Sequence, residues 1–295
     1  MERNREGWYE REEVKKITAD WIKLNCKLTE RERELIQIVY DRKLVRRDHL
    51  EVISPSYRNL TNRTVLLNRA IKKMYKSMVF DKAHEKQEIG KGSNPAIIAP
   101  DRASSVLLGV THKRRIIHKT TKHNGQEYIS RSLPSNYRHI QGVNRLEVET
   151  ILYCQNQGYD ILEWKLEQIK AFFYNEDKIV LIPDILVALR IDGRVFVAFI
   201  EYDTGSEGIR EIEPVVIRDK IIKYKRYKAS KLWYEEEWQG YFDGIVFPMV
   251  LFVTEDSKRV QFWNRKCKEY GVVGIGMVTE KYVDVLDRLI EVAKK

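Results

Sequence analysis

Apolar residues recur at helical spacing through 29–42, TERERELIQIVYDR, where Leu35, Ile36, Val39 and Tyr40 share one face. Thr29 with Glu32 three residues on forms a capping box, so the pattern predicts a helix with a defined start. A short second helix is expected at about 46–53, with Leu50 and Ile53 inward, followed by a turn at SPSY. A third is expected at roughly 60–77, with Val65, Leu66, Ile71 and Met74 as candidate core positions. Residues 79–138 read as β-rich and loop-rich, and VFDKAHEKQEIGKGSNPAIIA reads as a hairpin turning at GKGSNP. The first 26 residues set Trp8, Tyr9, Val14, Ile17 and Trp21 among charges. That is an amphipathic helix which packs on its own domain or on a partner chain; the pattern does not decide which.

The second half has a different rhythm. A helix is expected at about 143–157, a short strand near 160–165, then helix or loop to 175. Residues 179–191 are apolar and β-branched, Asp192-Gly193 is a strong two-residue hairpin signal, and 194–202 (RVFVAFIEY) is the returning strand. A helix at about 214–230, a strand at 246–253, a helix at 256–270, a strand at 272–278 and a helix at 281–294 complete the chain. This order implies a mixed sheet with helices on both faces. The fold class expected is therefore α+β, a helical N-terminal domain followed by an α/β domain, divided as 1–27, 28–140 and 141–295.

Charge sharpens the division. The 295 residues carry 53 Lys and Arg against 43 Asp and Glu, a net charge of +10. Residues 1–142 account for +13 and residues 143–295 for −3. A basic excess confined to one half is the footprint of a polyanion partner, or a basic surface kept for solubility. Three short helices with the last one basic match a helix-turn-helix pattern, in which the last helix enters the major groove of double-stranded DNA. Asn68 and Arg69 are types that read base edges, while Arg63, Lys72, Lys73 and Lys76 suit phosphates. Lys113, Arg114 and Arg115, within KRRIIHKTTK, would extend that face.

Other classes fall away. No stretch approaches the roughly 20 apolar residues that span a bilayer, and charge interrupts any apolar run in MERNREGWYEREEVKK, so neither a membrane span nor a secretory leader is expected. Cys26, Cys154 and Cys267 lie too far apart for metal spacing, which favours a reducing cytoplasm. GxxxxGK[ST] is absent, and His112, His118 and His123 lack Cys or carboxylate partners at ligand spacing.

The chemistry lies in the Asp192-Gly193 hairpin. Counting outward from its turn sets Asp184 opposite Glu201, and Asp203 shares a face with Glu201 two residues earlier. Three carboxylates are thus expected at one point, where oxygen ligands would suit Mg²⁺ or Mn²⁺, with Glu147 as a further carboxylate. Such a site would bind a scissile phosphate and activate water. Alternatively, Asp184 and Glu201 cap strands and pair with Arg210 or Lys220. The motif resembles PD-(D/E)xK nucleases, except that Asp203 stands where a Lys is usual. Lys220, four residues from Tyr224 on the next helix, could supply that lysine and stabilise developing charge.

On LTERERELIQIVY (28–40), HIQGVN (139–144), LEW (162–164), IPDILVAL (182–189), FIEYDTGSE (199–207), the Lys220/Tyr224 pair and FPMVLFVT (247–254), the chain resembles the replication-relaxation family, itself similar to MobC-type plasmid relaxases. The resemblance implies a winged-helix DNA-binding domain and a restriction-endonuclease-like domain that nicks a plasmid or transfer origin. Carried over by position, the acidic site is Asp184, Glu201 and Asp203. The competing expectation is a non-catalytic DNA-binding regulator of replication or copy number, its nuclease-like domain serving for docking or for a homodimer.

Overall fold

A computed structural model describes residues 14, 16–85, 94–123, 126–205, 215–242 and 244–293. The chain is α+β and divides into two compact units, Met1–Asn144 and Arg145–Lys295.

The first unit opens with α1 (Ala19–Asn25) and α2 (Glu30–Arg42). The capping box at Thr29 and Glu32 is present: the Glu32 backbone N–H donates to Thr29 Oγ1 at 3.3 Å, and the Thr29 N–H to Glu32 Oε2 at 2.8 Å. Then come β1 (Val45–Arg46), α3 (Arg47–Ile53), α4 (Pro55–Arg58) and α5 (Arg63–Lys76). β2 (Phe80–Ala83) and β3 (Ile97–Pro100) pair antiparallel, and β1 adds to β3, giving the order β1-β3-β2. The turn expected at GKGSNP lies largely outside the described residues, as do Trp8 and Tyr9. α6 (Arg102–Leu107) leads to the hairpin of β4 (Ile117–His123) and β5 (Gln126–Ser132).

On α5 the buried stripe is Leu67, Ala70, Ile71 and Met74, at the i, i+3, i+4, i+7 spacing of one helix face. Val65 and Leu66, expected in the core, fall off that stripe and are exposed. Asp81 on β2 ties down the β4–β5 hairpin. His118 Nε2 lies 2.6 Å from Asp81 Oδ2, and Arg131 Nε donates to Oδ1 at 3.2 Å. His118 and Arg131 are cross-strand partners, so one buried carboxylate holds both strands.

α7 (Tyr137–Gln157) starts six residues before the expected helix and contains the boundary between the units. In its first two turns, Gln141 and Asn144 donate side-chain N–H groups to the Leu44 carbonyl at 3.0 and 2.8 Å.

The second unit continues with β6 (Asp160–Leu166), β7 (Lys170–Tyr174), β8 (Asp177–Leu181), β9 (Ile185–Ile191) and β10 (Arg194–Asp203). α8 (Val215–Ser230), β11 (Met249–Thr254), α9 (Ser257–Tyr270), β12 (Gly274–Val278) and α10 (Tyr282–Ala293) follow. Five strands form one mixed sheet in the order β12-β11-β10-β9-β6. β6, β9 and β10 run antiparallel, and β11 and β12 join parallel to β10 through the α8 and α9 crossovers.

Two expectations change here. The segment expected to be helix or loop up to 175 is β7, the first arm of a hairpin with β8. The apolar run 179–191 is two strands broken at Ile182-Pro183-Asp184, because proline has no N–H to give to a ladder. The hairpin at Asp192-Gly193 has φ of 48° and 81°, the left-handed pair that a two-residue turn of this twist needs. Aliphatic and aromatic side chains from β9, β10, β11, α8 and α9 pack into the main core, around Phe199, Tyr224, Trp238 and Trp263.

Candidate functional site

Alternation along β10 decides which side chains meet. Val197 and Phe199 belong to the core beneath α8 and α9, so Glu201 and Asp203 point to that face as well. The β9–β10 ladder ends at Ile200 opposite Ile185, one step short of Glu201 and Asp184. There Asp184 takes over from the backbone: the Tyr202 N–H donates to Asp184 Oδ2 at 2.8 Å. The count from the turn therefore puts Asp184 beside Glu201 as expected.

Lys220 and Tyr224 lie one turn apart on α8 and reach this point together. The Tyr224 hydroxyl donates to Glu201 Oε1, and the Lys220 ammonium is in contact with Glu201 Oε2 and 3.9 Å from Asp184 Oδ2. Glu201 and Tyr224 are 1% and 0% exposed, whereas the Lys220 side chain keeps 30% of its surface. The site is a buried carboxylate approached from the surface by one cation. Arg210, the other candidate partner, lies outside the described residues.

Asp203 does not join this group. Arg259, at the start of α9, clasps it with both Nε and Nη2, the latter at 3.0 Å. Thr254 Oγ1 at 3.4 Å and the Gly205 N–H at 3.2 Å complete its partners. The expected meeting of three carboxylates is thus corrected to two, because a buried arginine from a later helix neutralises the third. Nothing near Asp203 in sequence announces Arg259, so sequence reasoning passed over it. Glu147 is buried on α7, one turn from Thr150, whose hydroxyl meets that of Tyr282 on α10 at 2.8 Å. Among the described residues no three His, Cys, Asp or Glu side chains gather as a group that could hold a metal ion. A divalent cation does not fit the arrangement as it stands: both Glu201 oxygens are engaged, and the Lys220 ammonium fills the place between the two carboxylates.

Burial, reinforced by Asp184, pushes Glu201 up to about 8, against the opposing pull of Lys220. Burial alone would lower Lys220, but the Glu201 and Asp184 carboxylates outweigh it and keep the ammonium charged. Burial and Glu201 together hold the Tyr224 hydroxyl protonated. The sign for stability follows. Folding favours protonated Glu201, so this contribution is complete below its ordinary value of 4.5 and is lost as pH rises through about 8. Glu201→Gln mimics the protonated form. The melting temperature of the native protein is expected to fall relative to that of Glu201→Gln between pH 5 and 8.5, and parallel curves would show that Glu201 does not titrate there.

In the first unit the basic residues sort by partner. Asn68, Arg69, Lys72, Lys73 and Lys76 are exposed on α5. Lys73 donates to both oxygens of Glu32, at 3.0 and 2.7 Å, and so helps fix α5 to α2. Arg63, at the start of the helix, donates to the Arg58 carbonyl at 2.8 Å. Arg69, Lys72 and Lys76 have no ion-pair partner among the described residues. Lys113 and Arg114 are exposed and Arg115 half-buried in the loop before β4. Among the described residues no helix is long and apolar enough to cross a membrane.

A family model described as replication-relaxation matches residues 39–243, more than half of the chain. No curated protein and no solved structure matches it.

Proposed function

The chain belongs to the replication-relaxation family, and from that premise we propose that it processes DNA in plasmid or replication-linked events, binding duplex DNA through its first unit and nicking one strand with its second. The observation that carries this reading is the junction of Asp184, Glu201 and Lys220 at the end of the β9–β10 hairpin. It resembles a PD-(D/E)xK core whose lysine has moved from the strand to the following helix. The β6-β9-β10 antiparallel run continued by parallel β11 and β12 is compatible with that core. For the first unit, the order α2, β1, α3, α5, β2, β3 with a β1-β3-β2 sheet supports a winged helix whose recognition helix is α5.

In this reading Lys220 stabilises charge developing on the phosphate, because an ammonium backed by buried carboxylates stays charged and aimed. Glu201 and Tyr224 hold that tip in place. Asp184, 13% exposed, is more open to solvent than Glu201 and is assigned to orienting the attacking water. A divalent cation would require Lys220 to leave Glu201. Calorimetric titration with Mn²⁺ tests that part, with tighter binding to Lys220→Ala than to the native protein expected if the two cations compete.

The decisive assay is nicking of a supercoiled plasmid that carries the protein's own origin region, with Mg²⁺ or Mn²⁺ present. Asp184→Asn is expected to lower the rate at least 100-fold, the scale of losing a positioned acid–base group, and Glu201→Ala, which frees the Lys220 tip, is expected to lower it as well. Undiminished nicking by either variant would remove this site from the reaction.

A second reading, a non-catalytic DNA-binding regulator, is favoured by one observation. Arg259 and Lys220 neutralise the carboxylates that a metal-dependent nuclease would use. Sequence-specific DNA binding without any nicking under those conditions would select it.

A further inference from the structure

α1 and the C-terminal half of α5 flank an open, shallow cleft of about 490 Å³, lined by Trp21, Asn25, Arg69, Lys72, Lys73 and Lys76. The two helices are tied at their ends, where the Cys26 thiol donates to the Ser77 carbonyl at 3.5 Å, and Ile22 is buried beneath. Asn25 turns back to donate to the Trp21 carbonyl at 2.8 Å. The Trp21 ring is half-buried and forms the apolar wall.

The electrostatics of the cleft are unbalanced. Lys73 is satisfied by Glu32. Arg69, Lys72 and Lys76 stand three and four residues apart on one helix face, where like charges repel. Among the described residues none of the three has an ion-pair partner, though Glu30 and Glu32 line a neighbouring pocket with Arg69. A concave surface with three uncompensated cations and an indole wall is complementary to a ligand that repeats anionic groups at short intervals beside a flat, weakly polar body. A sugar-phosphate strand has that chemistry, with phosphates for the cations and a sugar or base for the indole.

We infer that the cleft between α1 and α5 seats the sugar-phosphate backbone of DNA, so that α1 is part of the DNA-binding surface rather than a packing extension. This rests on the DNA-binding reading above and adds a second element to it. Arg69, Lys72 and Lys76 hold successive phosphates, and Trp21 lies against the sugar or base between them.

The test uses the full chain and fluorescence anisotropy with a labelled duplex and a labelled single strand of equal length, over a range of salt. Arg69→Ala/Lys72→Ala/Lys76→Ala is expected to lower the slope of log K against log salt by about 2 to 3, one counterion for each phosphate contact. Trp21→Ala is expected to weaken binding by about 5- to 100-fold, the range of one aromatic contact to a nucleotide. Trp21→Phe, which keeps a ring and guards against a simple folding defect, is expected to retain most of the affinity. Weaker binding by the α5 variant with no change in either Trp21 variant overturns the cleft and leaves the DNA-binding reading in place. Unchanged binding in all of them overturns both. Equal loss in Trp21→Phe and Trp21→Ala, with melting temperatures unchanged, also overturns the proposal, since a ring lying against a sugar or base should be replaceable by phenyl.

Discussion

Lys220→Met is expected to destabilise the protein by about 3–5 kcal/mol above pH 8, and by much less at pH 6. Glu201 is 1% exposed and its Oε2 depends on the Lys220 ammonium. Without that cation an ionised Glu201 would lie buried beside Asp184, with the Tyr224 hydroxyl as its remaining partner. At lower pH it escapes by taking up a proton, which burial already favours and the loss of Lys220 favours further. Adding Glu201→Gln to Lys220→Met removes the stranded charge and is expected to restore most of the loss. Urea unfolding of the two single variants and the double variant at pH 6 and pH 9 measures this directly. A cost for Lys220→Met that is equal at both pH values, or that Glu201→Gln does not relieve, would show that the pair does not act as described.

Trp263→Ala is expected to cost about 3–5 kcal/mol, from lost burial together with a cavity that the sheet cannot collapse to fill. Trp263 is fully buried on α9, stacked on Phe252 with ring centroids 4.6 Å apart and planes 6° from parallel. The residues beside Phe252 on the adjoining strand explain how the indole fits. A Cβ at Gly276 would stand 3.2 Å from Trp263 Cδ1, and one at Gly274 would stand 3.2 Å from its Nε1 and 3.0 Å from Cys267 Sγ. Two absent side chains on β12 thus make the slot for one large side chain on α9. The midpoint of urea unfolding reads the effect, and a loss under about 1 kcal/mol would mean that the neighbours close over the gap.

The elements most legible in the sequence were those whose signals are local. The capping box at Thr29 and Glu32 and the Asp192-Gly193 turn each specify a backbone conformation within four residues, and both stand where they were read. The count outward from that turn sets Asp184 beside Glu201 because an antiparallel ladder has a fixed register. The Lys220/Tyr224 spacing likewise placed both groups on one helix face.

What escaped was non-local or lacked its usual residue. The β7–β8 hairpin turns at Asn175-Glu176, with φ of 50° and 69°, and glutamate in a position that favours glycine hides the turn. Val65 and Leu66 are apolar but exposed, and composition alone could not separate them from Leu67. Lys73 reads as one more phosphate contact until Glu32, 41 residues earlier, is seen to hold it.

The sequence by itself determined the α+β class, the basic and acidic halves, and the pairing of Asp184 with Glu201, since charge, period and hairpin register are properties of short stretches. Only the tertiary structure decided that Asp203 belongs to Arg259 and that Lys220 stands between the two remaining carboxylates. Those partners arrive on helices from elsewhere in the chain. A buried charge is settled by whichever opposite charge the packing brings to it, and no spacing along the chain records that choice.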